Sequence, residues 1–133
     1  MRAATQQSVP NYVFVRALGR APLTRSPKAT FLDRFDLFTA TFGPPERKSR
    51  KHGTLFVWNF IRIDQNGNRV FSLSSRIPNG AKLRGESEIC VDLMAESGSR
   101  TFTDWALERL GAVCNGEEMP RCVGTGNYAI TRL

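Results

Sequence analysis

Apolar residues crowd two neighbouring segments of the chain, and the bulkiest of them fall at every second position. Phe56, Trp58 and Phe60 alternate in the first segment, Phe71, Leu73 and Ile77 in the second, with Asn66-Gly67 between them. Period-two spacing puts alternate side chains on one face of a strand, and Asn-Gly between two such runs is a strong hairpin signal. If Asn66-Gly67 forms a type I′ turn, Asp64 faces Arg69, Arg62 faces Phe71, Phe60 faces Leu73, Trp58 faces Ser75 and Phe56 faces Ile77. One face then collects Phe56, Trp58, Phe60, Phe71, Leu73 and Ile77. The other mixes Leu55, Val57, Ile61, Ile63 and Val70 with Asn59, Ser72, Ser74 and Arg76. The greasier face requires a packed cover, and the mixed face suits partial exposure or a contact.

The cover comes from two amphipathic segments. Phe31, Phe35, Phe38 and Phe42 recur at helical spacing after a Thr30/Asp33 capping box, and Gly43-Pro44-Pro45 stops the run. A second box, Thr101/Asp104, introduces a helix whose apolar face is Phe102, Trp105, Ala106, Leu110 and Val113. Further strands are expected over 12–18, 89–94 and 128–133, joined by Gly- and Pro-punctuated loops. The order β-α-β-β-β-α-β predicts an α+β two-layer sandwich. Its sheet is mainly antiparallel, with four to five strands and two helices on one face. Residues 1–10 read as a flexible arm, and 11–133 as a single domain.

Composition is that of an ordinary globule, 41% hydrophobic and 23% charged, with no apolar run long enough to span a bilayer and no leader pattern at the start. The three cysteines, Cys90, Cys114 and Cys122, leave an odd thiol. A reducing, cytoplasmic setting fits them, or a nuclear one in a eukaryote. Zinc lacks ligands: there is no C-x-x-C, and His52 is the only histidine. Asp64-Gln65-Asn66-Gly67-Asn68 has the look of a calcium loop, but Ser75 stands where the bidentate Glu belongs, so a hairpin turn explains it. No metal or other cofactor is expected.

Charge changes the picture more. The formal net charge is +7, carried mostly by arginine, whose planar fork of donors suits phosphate. Five basic side chains, Arg47, Lys48, Arg50, Lys51 and His52, fall within six positions after the helix stop. Mutual repulsion predicts a solvated loop there, fit to grip phosphates with little sequence discrimination, assisted by Arg16, Arg20 and Arg25. The tract Val13-Phe14-Val15-Arg16-Ala17-Leu18 resembles the shorter RNA-contact motif of RNA-recognition-motif domains, and Gly53-Thr54-Leu55-Phe56-Val57-Trp58-Asn59-Phe60 resembles the longer one. In that family the longer motif lies on the second strand of the hairpin, whereas here it is on the first, with its aromatic spacing shifted by one. The resemblance implies base stacking on Phe14 and Phe56.

Catalytic constellations are missing from the sequence: no G-x-S-x-G, P-loop or H-E-x-x-H occurs, and the acidic residues are scattered. The expectation is a non-enzymatic module binding DNA or RNA. A protein-binding accessory or inhibitor, viral or phage in style, is the alternative. It would dock on an acidic partner surface through the basic run and Asn59, Ser72, Ser74 and Arg76. A third reading, capture of a small anion by Arg76 and its neighbours, needs a concave rather than a flat mixed face.

Overall fold

The computed structural model describes residues 14–19, 21–22, 27–64, 67–114, 121–124 and 131–132. The arm at 1–10, Arg20, Arg25 and the Asn66 turn position lie outside them. The elements in chain order are β1 (Phe14–Arg16), β2 (Ala29–Arg34), α1 (Phe35–Phe42), β3 (Glu46–Arg50), β4 (Gly53–Asp64), β5 (Gly67–Pro78), β6 (Glu88–Ala95), α2 (Ser99–Val113), β7 (Arg121–Gly124) and β8 (Thr131–Arg132). Every strand pair is antiparallel, and the sheet runs β1-β4-β5-β6-β2-β7-β8. The α+β sandwich is as the sequence pattern predicts, with eight strands among the described residues. β5 takes one edge of the long strand β4. β3 and β1 share the other, β3 beside residues 53–57 and β1 beside 60–62.

The greasy face of the hairpin is the core, as alternation requires. Trp58, Phe71 and Leu73 are fully buried, with Phe14 from β1, Ile89, Val91 and Leu93 from β6, and Ala29 and Phe31 from β2 on the same side. Both helices cover that side. Phe38 and Phe42 of α1 meet Trp58 and Phe60 at ring separations of 6.1 and 5.4 Å. Phe102 of α2 stacks on Phe71 at 5.0 Å and meets Phe14 edge-on at 5.1 Å. Each such pair adds about 0.5–1.5 kcal/mol beyond the area it buries.

Four local expectations are corrected. The hairpin register is displaced by two residues: Asp64 pairs with Gly67, Phe60 with Phe71, Trp58 with Leu73 and Thr54 with Ile77. A shift of two preserves the faces, because the side-chain period is two. Next, the first helix begins at Phe35, and Thr30 to Asp33 belong to β2 between β6 and β7. The Thr30 hydroxyl donates not to a helix N-terminus but to Asp92 Oδ1 across the sheet, at 2.7 Å. The first helical N–H groups, of Phe35 and Asp36, donate to the carbonyls of Ser87 and Gly85, both at 2.8 Å. A neighbouring loop thus does the work expected of a capping box.

The third correction is the basic run. Residues 47–50 form an edge strand rather than a solvated loop, and only Lys51-His52 turn. Alternation separates the charges: Arg47 and Ser49 take the helix side, Lys48 and Arg50 the other, so repulsion between sequence neighbours falls. Fourth, α2 starts at Ser99 after Gly98, whose φ of 73° is in the left-handed region, without a side-chain cap. Thr101 lies inside the helix, and Val113 is exposed rather than part of its apolar face.

Gly53 is fixed by a close approach. A Cβ there would lie 2.1 Å from the Ile77 carbonyl oxygen. That contact brings the turn after β5 against the turn before β4, where Asn79 N–H donates to the His52 carbonyl at 3.0 Å and Asn79 Nδ2 to the Lys51 carbonyl at 3.2 Å. Gly53→Ala is therefore expected to destabilise by about 1–3 kcal/mol, the cost of forcing packed backbone apart, read as a lowered urea midpoint at unchanged m-value.

Candidate functional site

The sheet face away from the helices carries the chemistry. Register sets its side chains out in rows across the strands. One row is Lys48 (β3), Leu55 (β4) and Arg76 (β5). The next is Glu46, Val57, Ser74, Asp92 and Thr30, and a third is Asn59, Ser72 and Met94. Lys48 and Arg76 sit two strands apart, about 10 Å backbone to backbone, so their long side chains can reach one group above Leu55.

This face is concave there. A cleft of about 390 Å³ is lined by Lys48, Arg50, Ser72, Ser74, Arg76 and Asp92 over a floor of Leu55, Val57 and Met94, with Ala21, Pro22 and Pro27 at its rim. The side chains of Lys48, Arg76 and Ser74 make no hydrogen bond or ion pair with described residues. Arg50 donates from Nη1 to the Ser49 carbonyl at 3.0 Å, which leaves four guanidinium protons free. Asp92, the one acid in the lining, accepts the Thr30 hydroxyl.

Beside the cleft runs a polar chain, buried at Ser72 and Asn59 and reaching the surface at Glu46 and Gly19. The Ser72 hydroxyl donates to Asn59 Oδ1, Asn59 Nδ2 donates to Glu46 Oε2 at 3.1 Å, and the Glu46 carboxylate accepts from Gly19 N–H at 3.2 Å. Asn59 is fully buried, so it is neither a solvent-facing residue nor a contact residue. A polar residue amid an apolar strand was the sequence signal for this chain, but its partner Glu46 carried none. Ser72 is likewise buried, which leaves Ser74 and Arg76 as the polar members of the mixed face that reach the surface.

The other sequence-predicted residues lie elsewhere. Arg16 is on the helix side, its guanidinium 5.7 Å from the Phe60 ring centre. Nη1 donates to the Phe42 carbonyl at 2.6 Å, and both Nη1 and Nη2 donate to the Pro44 carbonyl at 3.3 Å, closing the C-terminus of α1. Burial lowers its pKa, against the opposing pull of Glu46. Arg47 is also on the helix side, over Phe56. Lys51 and His52 are exposed in the turn. Phe14 and Phe56 are buried beneath the helices, so neither offers a ring face for the base stacking that the RNA-recognition resemblance implies. Cys90 is a free thiol, exposed on the cleft side.

No family model, curated protein sequence or solved structure matches this chain. Among the described residues no helix is long and apolar enough to cross a membrane.

Two substitutions separate the polar chain from the open cleft. Asn59→Leu leaves the Ser72 hydroxyl and the Glu46 carboxylate without their partner and is expected to cost about 1–3 kcal/mol. Ser74→Ala, one row away, is expected to change stability by less than about 0.5 kcal/mol. Chemical denaturation of the two variants beside the parent checks both values.

Proposed function

We propose that the protein is a small, non-enzymatic nucleic-acid-binding module that holds phosphate groups in the cleft on the uncovered sheet face. The observation that supports this reading is the convergence of Lys48, Arg50 and Arg76 from β3 and β5 on one cleft, with the Lys48 and Arg76 side chains unpartnered among the described residues. Arginine forks and a lysine ammonium offer charge-assisted donors to phosphate oxygens, and the Ser74 hydroxyl adds a neutral one. None of these groups forms a donor–acceptor set against base edges, so binding is salt-steep and weakly sequence-specific. Arg16 takes no part in this reading, because the end of α1 already holds its guanidinium.

Titration of labelled single- and double-stranded DNA and RNA over a range of salt concentrations tests the proposal. Changing Lys48, Arg50 and Arg76 together to serine is expected to reduce the slope of log K against log salt by about 2–3, close to one unit per lost phosphate contact. Arg47→Ser, on the opposite side of β3, is expected to change the slope by less than about one. Absence of binding to every nucleic acid at low salt would overturn the reading.

A second reading is a protein-binding accessory factor that docks the same face on an acidic partner. The apolar floor of Leu55, Val57 and Met94 between cationic walls favours it, since a buried apolar centre with a charged rim is how protein interfaces are built. The concavity also meets the condition set for small-anion capture by Arg76. Competition by a mononucleotide or inorganic phosphate at millimolar concentration separates that case from polymer binding.

A further inference from the structure

A second, larger cleft lies on the helix side of β3, away from the phosphate cleft. Its volume is about 720 Å³, within the range of small-molecule sites. Phe35, Phe56, Ile77 and Leu83 give it apolar walls, and the Phe35 and Phe56 rings meet at 5.5 Å and 62°. Polar groups are few: Thr39, Thr54, Asn79 and a single charge, Arg47. The Thr39 hydroxyl is engaged with the Asp36 carbonyl at 3.1 Å, whereas the Thr54 hydroxyl has no partner among the described residues.

Arg47 is the informative member. Its guanidinium lies 5.4 Å from the Phe56 ring centre, and it forms no ion pair or hydrogen bond with described residues. An arginine stacked on an aromatic ring keeps its edge donors and its outer face available. The outer face accepts a flat π-system, and the edge accepts an anionic oxygen. The cleft itself is held open by covalent and backbone geometry: Pro44-Pro45 on one side, and on the other the turn Pro78–Ala81, pinned through Asn79 to the Lys51 and His52 carbonyls. A preformed apolar cleft with one uncompensated cation at its wall is complementary to an apolar body bearing one negative charge.

We infer that this cleft binds a small planar aromatic anion, its ring packed among Phe35, Ile77 and Leu83 and its carboxylate or other acidic group paired with the edge donors of Arg47. The site is distinct from the phosphate cleft, since residues 47 and 48 project to opposite faces of β3.

Naphthalene-2-carboxylate, with neutral 2-naphthamide as its isostere, tests the assignment on the full chain by ¹H–¹⁵N chemical-shift mapping. Saturable shifts are expected at Thr54, Phe56 and residues 79–83, with the amide binding about fivefold more weakly, the scale of one exposed charge pair. Arg47→Ala is expected to abolish the preference for the carboxylate, and Arg47→Lys to retain part of it. Arg76→Ala should leave both affinities unchanged. Ala81→Trp, at the exposed rim, fills the opening and is expected to block both probes, which keeps the test independent of Arg47. No saturable shift at millimolar probe, equal affinity for acid and amide, or shifts centred on Lys48 and Arg76 would each overturn the inference. Nucleic-acid binding enters none of these readouts.

Discussion

The aromatic layer on one side of the sheet is the constraint on which the rest of the molecule depends. Phe14, Phe60, Phe71, Phe102 and Trp105 form a connected set of ring contacts between 4.8 and 5.6 Å, joining β1, β4, β5 and α2. Burying each phenylalanine contributes about 1.5–3 kcal/mol, so exposing this face would cost more than a domain's whole stability margin. With that side committed to the helices, alternation sends every other residue of the same strands to the opposite face. The placement of Lys48, Arg50, Ser74 and Arg76 is thus a consequence of where Phe56, Trp58, Phe60 and Leu73 must go.

A polar system closes the edge where this arrangement is weakest. β4 is too long for one neighbour, and β3 and β1 meet end to end along it. Glu46 stands at that junction. Its carboxylate accepts from Gly19 N–H and Asn59 Nδ2, while nearby Arg16 reaches past it to the last carbonyls of α1. Glu46 also offsets part of the desolvation of Arg16. Asn59 and Ser72 are buried, and buried polar groups are tolerated when their hydrogen bonds are made, as these are with each other and with Glu46. The pairing of β3 with β4 decides which cleft each basic residue enters, because Arg47 falls opposite Phe56 and Lys48 opposite Leu55.

Much of the fold was legible where pattern and tertiary demand agree. The two-faced hairpin, its helical cover and Phe38, Phe42, Phe102 and Leu110 as core all follow from spacing. The failures were segments whose local pattern admits two answers. Phe31 is four residues before Phe35, so it completes a helical stripe, yet Ala29 and Phe31 also alternate as a strand, and pairing with β6 and β7 selects the strand. Glu46-Arg-Lys-Ser-Arg50 has no strand propensity at all. It becomes a strand because the unpaired edge of β4 supplies its hydrogen bonds.

The candidate sites divide in the same way. The sequence by itself determined the charge, the identity of the basic residues and the two-faced character of the β4–β5 hairpin, because these depend on composition and on the fixed period of a strand. The tertiary structure alone decided that Arg47 and Lys48 serve opposite clefts, that Arg16 is held by a helix end and that Asn59 is interior. Those outcomes depend on strand pairing and on which loop lies over which face. Such contacts join residues about 13 to 28 positions apart, and no local spacing encodes them.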